Sequence, residues 1–120
     1  MAVNLVGGTT SASAALAFNA QTGTTYTFVL ADADNKLVTL SNAAAIAVTI
    51  PLNSSVAFPT GTQLNIIQIG AGQVTVSGAS GVTVVSTGAT SATPKCRAQY
   101  SAITLVKSNT DSWYAIGDIA

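Results

Sequence analysis

A long stretch without charge runs through the middle of this chain and limits what it can fold into. No Asp, Glu, Lys or Arg occurs in residues 37–94, which is nearly half of the 120 residues. The stretch is rich in Val, Ile, Thr, Ser, Ala and Gly, and Pro51, Pro59 and Pro94 interrupt it. Val, Ile and Thr favour strands, and a soluble surface normally carries far more charge. We therefore expect strands whose surface largely faces other protein subunits.

The overall composition excludes several classes of function. Charged residues make up 7% of the chain, against a usual fraction of about 25%, and the formal net charge is zero. Four basic residues balanced by four acidic ones give no stripe that could follow nucleic-acid phosphates, so we expect no nucleic-acid partner. No window of about 20 apolar residues is present, so we expect no membrane insertion. Little electrostatic repulsion keeps copies apart, which favours ordered assembly or aggregation.

Two regions of different character divide the chain. Residues 7–15 are small, polar and low in complexity, so we predict a flexible N-terminal arm over residues 1–23. Residues 24–120 carry dense strand signals, and we predict one β domain there. Its pattern is seven or eight short strands with turns about every 8–12 residues. That pattern predicts an all-β fold, a single β-sandwich or barrel-like domain of mainly antiparallel strands.

Period-two alternation predicts which side chains form the core. In residues 46–50, Ile46, Val48 and Ile50 share one face of a strand. Adjacent Trp113 and Tyr114 should point to opposite faces, one into the core and one to the surface. The echoed segments 72–77 and 81–86 both contain Val-Thr-Val, and we predict two short strands joined by a glycine turn. Among all candidate core residues, the strongest patterns hold six: Val48, Ile50, Ile66, Ile69, Ile103 and Leu105.

The residues that usually carry chemistry are missing or isolated, so we predict that the chain is not an enzyme. It contains no His, and Cys96 is the single cysteine, without an imidazole to activate it. Asp32 and Asp34 suggest a fragment of a calcium loop. The sixth position of such a loop holds Leu37 instead of Gly, and the chain has no Glu. We predict an ordinary turn there, and we assign no catalytic, cofactor-binding or metal-binding residue and no cofactor.

Several fragments, in their order and spacing, resemble a module of tailed-bacteriophage virion surface proteins. The resemblance covers residues 24–120, and each fragment alone is weak. The fragments are residues 26–33 (YTFVLADA), 38–43 (VTLSNA), 48–51 (VTIP), 56–63 (VAFPTGTQ), 68–76 (QIGAGQVTV), 99–107 (QYSAITLVK) and 113–119 (WYAIGDI).

The resemblance implies a structural role in a virion, because such modules occur in tail fibres, tailspikes and capsid surface proteins. A chain made of this module behind a short arm is expected to be a capsid decoration (cement) protein. It would bind the major capsid protein on the head surface, possess no shared catalytic residues and associate with itself as a homotrimer. The alternative is a tail-fibre or receptor-binding component on the tail, with contacts to the host in the exposed loops at residues 77–81 and 87–93.

Overall fold

A computed structural model describes residues 15–120. Strands supply nearly all the regular structure of this part of the chain, and one short 3₁₀ helix spans Leu30–Ala33. The strands are β1 (Ala17–Gln21), β2 (Thr25–Thr27), β3 (Lys36–Leu40), β4 (Ile46–Ile50), β5 (Gln63–Gln68), β6 (Val74–Gly78), β7 (Thr83–Val85), β8 (Ala102–Asn109) and β9 (Ser112–Gly117).

The first six strands alternate between two sheets. Strands β1, β3 and β5 are parallel neighbours in a six-stranded sheet, and β2, β4 and β6 are parallel neighbours in a three-stranded sheet. Parallel neighbours need a crossover connection, and here the strand in the other sheet is part of each crossover. The chain therefore coils through three stacked turns, each consisting of one strand from each sheet.

The C-terminal part of the chain completes both sheets. The six-stranded sheet has the order β1-β3-β5-β8-β9-β7, in which β8 is antiparallel to both neighbours and β7 is parallel to β9. The β8–β9 hairpin thus lies between β5 and β7. Residues 94–96 run antiparallel beside β6, where the Val76 amide donates to Pro94 O at 2.8 Å and the Cys96 amide donates to Val74 O at 2.9 Å.

This architecture confirms one part of the predicted fold class and corrects another. The described residues are rich in strand and contain almost no helix, as predicted. The prediction of mainly antiparallel strands is wrong, because five of the seven strand pairings within residues 15–120 are parallel. Alternating apolar residues identify the buried face of a strand, but they carry no information about the direction of its neighbours.

Two boundaries also differ from the sequence-based expectation. Strand β1 lies within the segment predicted as a flexible arm, and its Ala17 amide donates to Asn35 O at 3.0 Å. Its small and polar residues are weak strand formers, and pairing with β3 supplies the order that propensity does not. Residues 1–14 of the predicted arm lie outside the described residues. The two Val-Thr-Val echoes are in different sheets, as β6 and β7, and do not form a hairpin.

One core lies between the sheets, and inward side chains of both contribute to it. Trp113 is 1% exposed and packs edge-on against Phe58, whereas Tyr114 is 54% exposed, which confirms that they face opposite ways. Ile69 is only half-buried, because it lies just past the end of β5. The other five predicted core residues are buried, as expected: Val48, Ile50, Ile66, Ile103 and Leu105.

The connections between the two sheets, at residues 22–24, 41–45 and 69–73, also stack on one another. Asn42 Nδ2 donates to Thr22 O at 2.8 Å, and the Gly72 amide donates to Asn42 O at 2.8 Å, so three successive turns are joined. A Cβ atom on Gly72 would collide with the carbonyl oxygen of Ala44. Glycine is needed here because the backbones of adjacent turns approach too closely for a side chain.

A pair of adjacent isoleucines on β5 tests this assignment of faces. Ile66 is fully buried, and Ile67 points to the opposite face, where it is half-buried. We expect Ile66→Ala to lower the free energy of unfolding by about 2–5 kcal/mol, because it leaves a cavity. Ile67→Ala should cost less than about 1.5 kcal/mol. Urea denaturation of both variants measures the difference, and equal costs would contradict the face assignment.

Candidate interaction surface

The outward side of the six-stranded sheet is the most unusual surface of the described structure. We call it the outer face, and strand register arranges its side chains in rows. One row joins Phe18, Leu37, Asn65, Thr104 and Ile116, as neighbours on β1, β3, β5, β8 and β9. Two further rows are Ala20, Thr39, Ile67 and Ala102, and Gln63, Val106, Tyr114 and Val85.

No charged side chain of residues 15–120 lies on the outer face, although the chain has eight charged residues. Two of them, Asp32 and Lys107, are buried in the interior. Arg97 and Asp118 pair with each other near the C-terminal end. The remaining four lie in turns, at the inward side of β3 or beside the three-stranded sheet: Asp34, Lys36, Lys95 and Asp111.

The outer face is not covered by any other part of residues 15–120. None of the outward side chains in the three rows is buried. Large apolar groups lie at both ends of the face, with Phe18 72%, Ile116 58%, Tyr114 54% and Val85 48% exposed. Contiguous apolar patches on soluble proteins mark interaction sites, and sheets with much parallel pairing are normally covered on both faces.

The outward side of the three-stranded sheet has a different chemistry. Its two rows across β2, β4 and β6 consist of Thr25, Ala47 and Thr75, and of Thr27, Thr49 and Ser77. Hydroxyl groups dominate this side, and these two rows of described residues contain no large apolar side chain. Lys95, which pairs with Thr75 beside β6, adds one charge at the edge of this side. This side therefore contrasts with the outer face, which has no charge and is apolar at both ends.

Asp32 is held in a buried hydrogen-bond network and is not free for a metal ion. The Tyr26 hydroxyl donates to Asp32 Oδ2 at 2.5 Å, and Asn19 Nδ2 donates to Asp32 Oδ1 at 2.8 Å. The Val29 amide donates to Oδ2 at 3.0 Å. Burial first, and then the Asp32 hydrogen bond, raise the pKa of Tyr26 well above its ordinary value. Asp34 is exposed, so the two aspartates predicted to share a turn face different environments.

Lys107 is a buried cation whose partners are neutral. It is 3% exposed, and its Nζ donates to Asn53 Oδ1 at 2.7 Å and to Phe58 O at 2.6 Å. The same Nζ lies 5.9 Å from the centroid of the Trp113 ring, within the range of a cation–π contact. These contacts attach the connection at residues 51–62 to β8. They satisfy the ammonium group, and they assign it a structural role.

Cys96 and its surroundings close the C-terminal end of the fold. Arg97 donates to both oxygens of Asp118, at 2.8 and 2.9 Å, and the Ser101 hydroxyl donates to the same carboxylate at 2.7 Å. The Arg97 and Ser101 hydrogen bonds lower the pKa of Asp118. Burial, with a smaller contribution from the Asp118 charge, raises the pKa of Cys96 to about 11. A thiol held protonated in this way is a poor nucleophile.

The described part of the chain offers no enclosed site for a small ligand. No pocket opens within residues 15–120, and no three potential metal ligands from His, Cys, Asp and Glu cluster there. None of its helices is long and apolar enough to cross a bilayer. Of the loops predicted for receptor contact, residues 77 and 78 belong to β6, and residues 87–92 lie at the surface with Thr90 Oγ1 donating to Thr93 O.

We compared the chain with protein families, curated proteins and solved structures. No family model, curated protein or solved structure matches this chain.

The outer face was missed by sequence reasoning because its rows depend on which strands are neighbours. Alternation alone separates Phe18 or Ile116 from the core, but it does not place them on one continuous surface. Sequence reasoning also did not predict the exposure and the backbone conformation of Tyr100. It is 66% exposed with φ 71°, a left-handed conformation that is rare for an aromatic residue. No sequence signal distinguishes it from an ordinary turn residue.

The Asp32 network predicts an asymmetric response to two similar substitutions. Asp32→Asn places an amide NH2 against a hydrogen-bond donor, and we expect it to cost about 1–3 kcal/mol of unfolding free energy. Asp34→Asn at an exposed position should stay within about 0.5 kcal/mol of the original chain. Thermal melts with and without a chelator provide the measurement. A fall in Tm on chelation would contradict this account and restore a metal site.

The raised pKa of Cys96 predicts a loss of stability in alkali. A thiol whose pKa rises from its ordinary value of 9.0 to about 11 on folding contributes stability that is complete below about pH 9. This contribution is lost as the pH rises through about 11. We expect the stability difference between the original chain and Cys96→Ala to shrink between about pH 8 and about pH 11. Urea unfolding at each pH measures it, and a constant difference would argue against a buried, neutral thiol.

Proposed function

We propose that this chain is a structural protein of a tailed-bacteriophage virion, a capsid decoration protein that stabilises the head. One observation carries the proposal: the outer face is charge-free, apolar at both ends and uncovered within residues 15–120. Exposed apolar groups that are grouped in this way mark a site of interaction with a partner. The resemblance of residues 24–120 to phage virion modules supplies the class of assembly, and the absence of any enclosed site among the described residues is compatible with a structural role.

In this proposal the protein acts through burial rather than through chemistry. A standard interface removes about 1,600 Å² of protein surface from water. The entropy lost on association consumes most of the free energy that this burial gains. Many identical contacts across a shell add up, because each bound copy raises the effective concentration of the next contact. The two sheets serve as the layers of one sandwich-like unit. Each layer offers an outer side, and the copies associate as a homotrimer that bridges units of the major capsid protein.

Removal of the protein from virions tests the proposal. Particles that lack it should assemble, and they should release their genome at a lower temperature than complete particles, because links between capsid units are absent. Adsorption to the host should be unchanged. The measurement is the fluorescence of a DNA-binding dye during a temperature ramp, alongside an adsorption assay on the same preparations.

Adding back purified protein provides the control for this experiment. Restored heat resistance would show that the loss comes from the missing contacts and not from faulty assembly. Normal heat resistance combined with failed adsorption would contradict the decoration role. It would instead support a tail-fibre or receptor-binding component.

A further inference from the structure

We propose that the outer face of the six-stranded sheet is the surface through which copies of this chain associate with one another. The occupants of the face are thus the outer faces of the two other copies in the proposed homotrimer, which meet around its three-fold axis. This inference rests on the proposed self-association of a virion protein and adds the surface that produces it. The hydroxyl-rich side of the three-stranded sheet then remains free of self-contacts.

The extent of the outer face fits an interface between copies. Six strands at about 4.8 Å spacing, and about five residues at about 3.3 Å each, give a face of about 29 Å by about 17 Å. Its projected area is about 500 Å², before side-chain relief is included. Leu16, 48% exposed, continues the alternation of Phe18 and enlarges the apolar end at β1. The projected area alone is thus the larger part of the roughly 800 Å² per partner that a standard interface buries.

The absence of charge on the outer face selects the partner. A partner with charged side chains would have to remove water from them, and the face offers no counter-charge in return. The outer face of another copy has no charged side chain and therefore avoids this desolvation cost. Its small central residues, such as Ala102 and Thr104, allow close approach between sheets, which pack about 10 Å apart when their side chains interdigitate. The exposed rings of Phe18 and Tyr114 supply the aromatic groups that dominate interface energies.

Two lysine substitutions at opposite ends of the face, compared with one on the other sheet, test the inference. Phe18→Lys and Ile116→Lys each place an ammonium group in the contact. Ala47→Lys is the matched control, because it is an exposed strand position on the hydroxyl-rich side. Sedimentation velocity of the purified full chain over a micromolar dilution series measures the association. We expect Phe18→Lys and Ile116→Lys each to raise the dissociation constant about 100-fold or more, with Ala47→Lys unchanged.

Tyr114→Thr provides a milder second variant. It removes an exposed ring, keeps a residue that favours strands, and should weaken association about 10-fold or more while the Tm of the monomer stays the same. If circular dichroism shows that the lysine variants do not fold, Tyr114→Thr tests the inference in their place. Unchanged association in all folded outer-face variants would overturn the inference, as would an original chain that stays at 11.9 kDa. Either result leaves the decoration role to the separate virion experiment.

Discussion

Parallel register between successive turns of the chain is the constraint on which the rest of the structure depends. Val38 pairs with Ile66 in one sheet, and Val48 pairs with Val76 in the other, so apolar side chains form inward columns. A shift of one residue in any turn would bring Thr into the core and apolar groups to the outside. The stacked turns at Asn42 and Gly72 fix this register, because their backbones bond to one another directly.

The same register that fills the core also determines the surfaces. Every inward Val or Ile has an outward neighbour, and in β2, β4 and β6 most of these neighbours are hydroxyl residues. In the six-stranded sheet the outward side chains include Phe18, Leu37, Tyr114 and Ile116, which make the outer face apolar at both ends. The few charges are used elsewhere. Lys107 donates a hydrogen bond to Phe58 O, and Asp32 accepts one from the Val29 amide, so both hold connecting segments against the core. Arg97 and Asp118 form an ion pair near the C-terminal end.

The sequence allowed the strands and most of the core to be predicted, because alternation at Ile46, Val48 and Ile50 depends on local geometry alone. It did not allow the parallel pairing to be predicted. Direction is decided by the crossover through the second sheet, which no local pattern encodes. The buried state of Asp32 was missed for a related reason. Its partners Asn19 and Tyr26 lie on strands of different sheets, so only the folded chain brings them together.

The candidate surface shows the same limit. The lack of charge in residues 37–94 predicted that much of the protein would be covered by other subunits, and this remains a proposal. The identity of the surface needed the order β1-β3-β5-β8-β9-β7, since its rows draw on residues far apart in the chain. Phe18 and Ile116 belong to one row, although nearly the whole β domain separates them in sequence.

Electron cryo-microscopy of the intact virion tests the central claim most directly. The account predicts density for this chain on the outer surface of the head, with copies clustered so that their six-stranded sheets face one another. The hydroxyl-rich sheets should point away from the contacts between copies. Density confined to the tail, or copies on the head whose outer faces are open to solvent, would contradict the account.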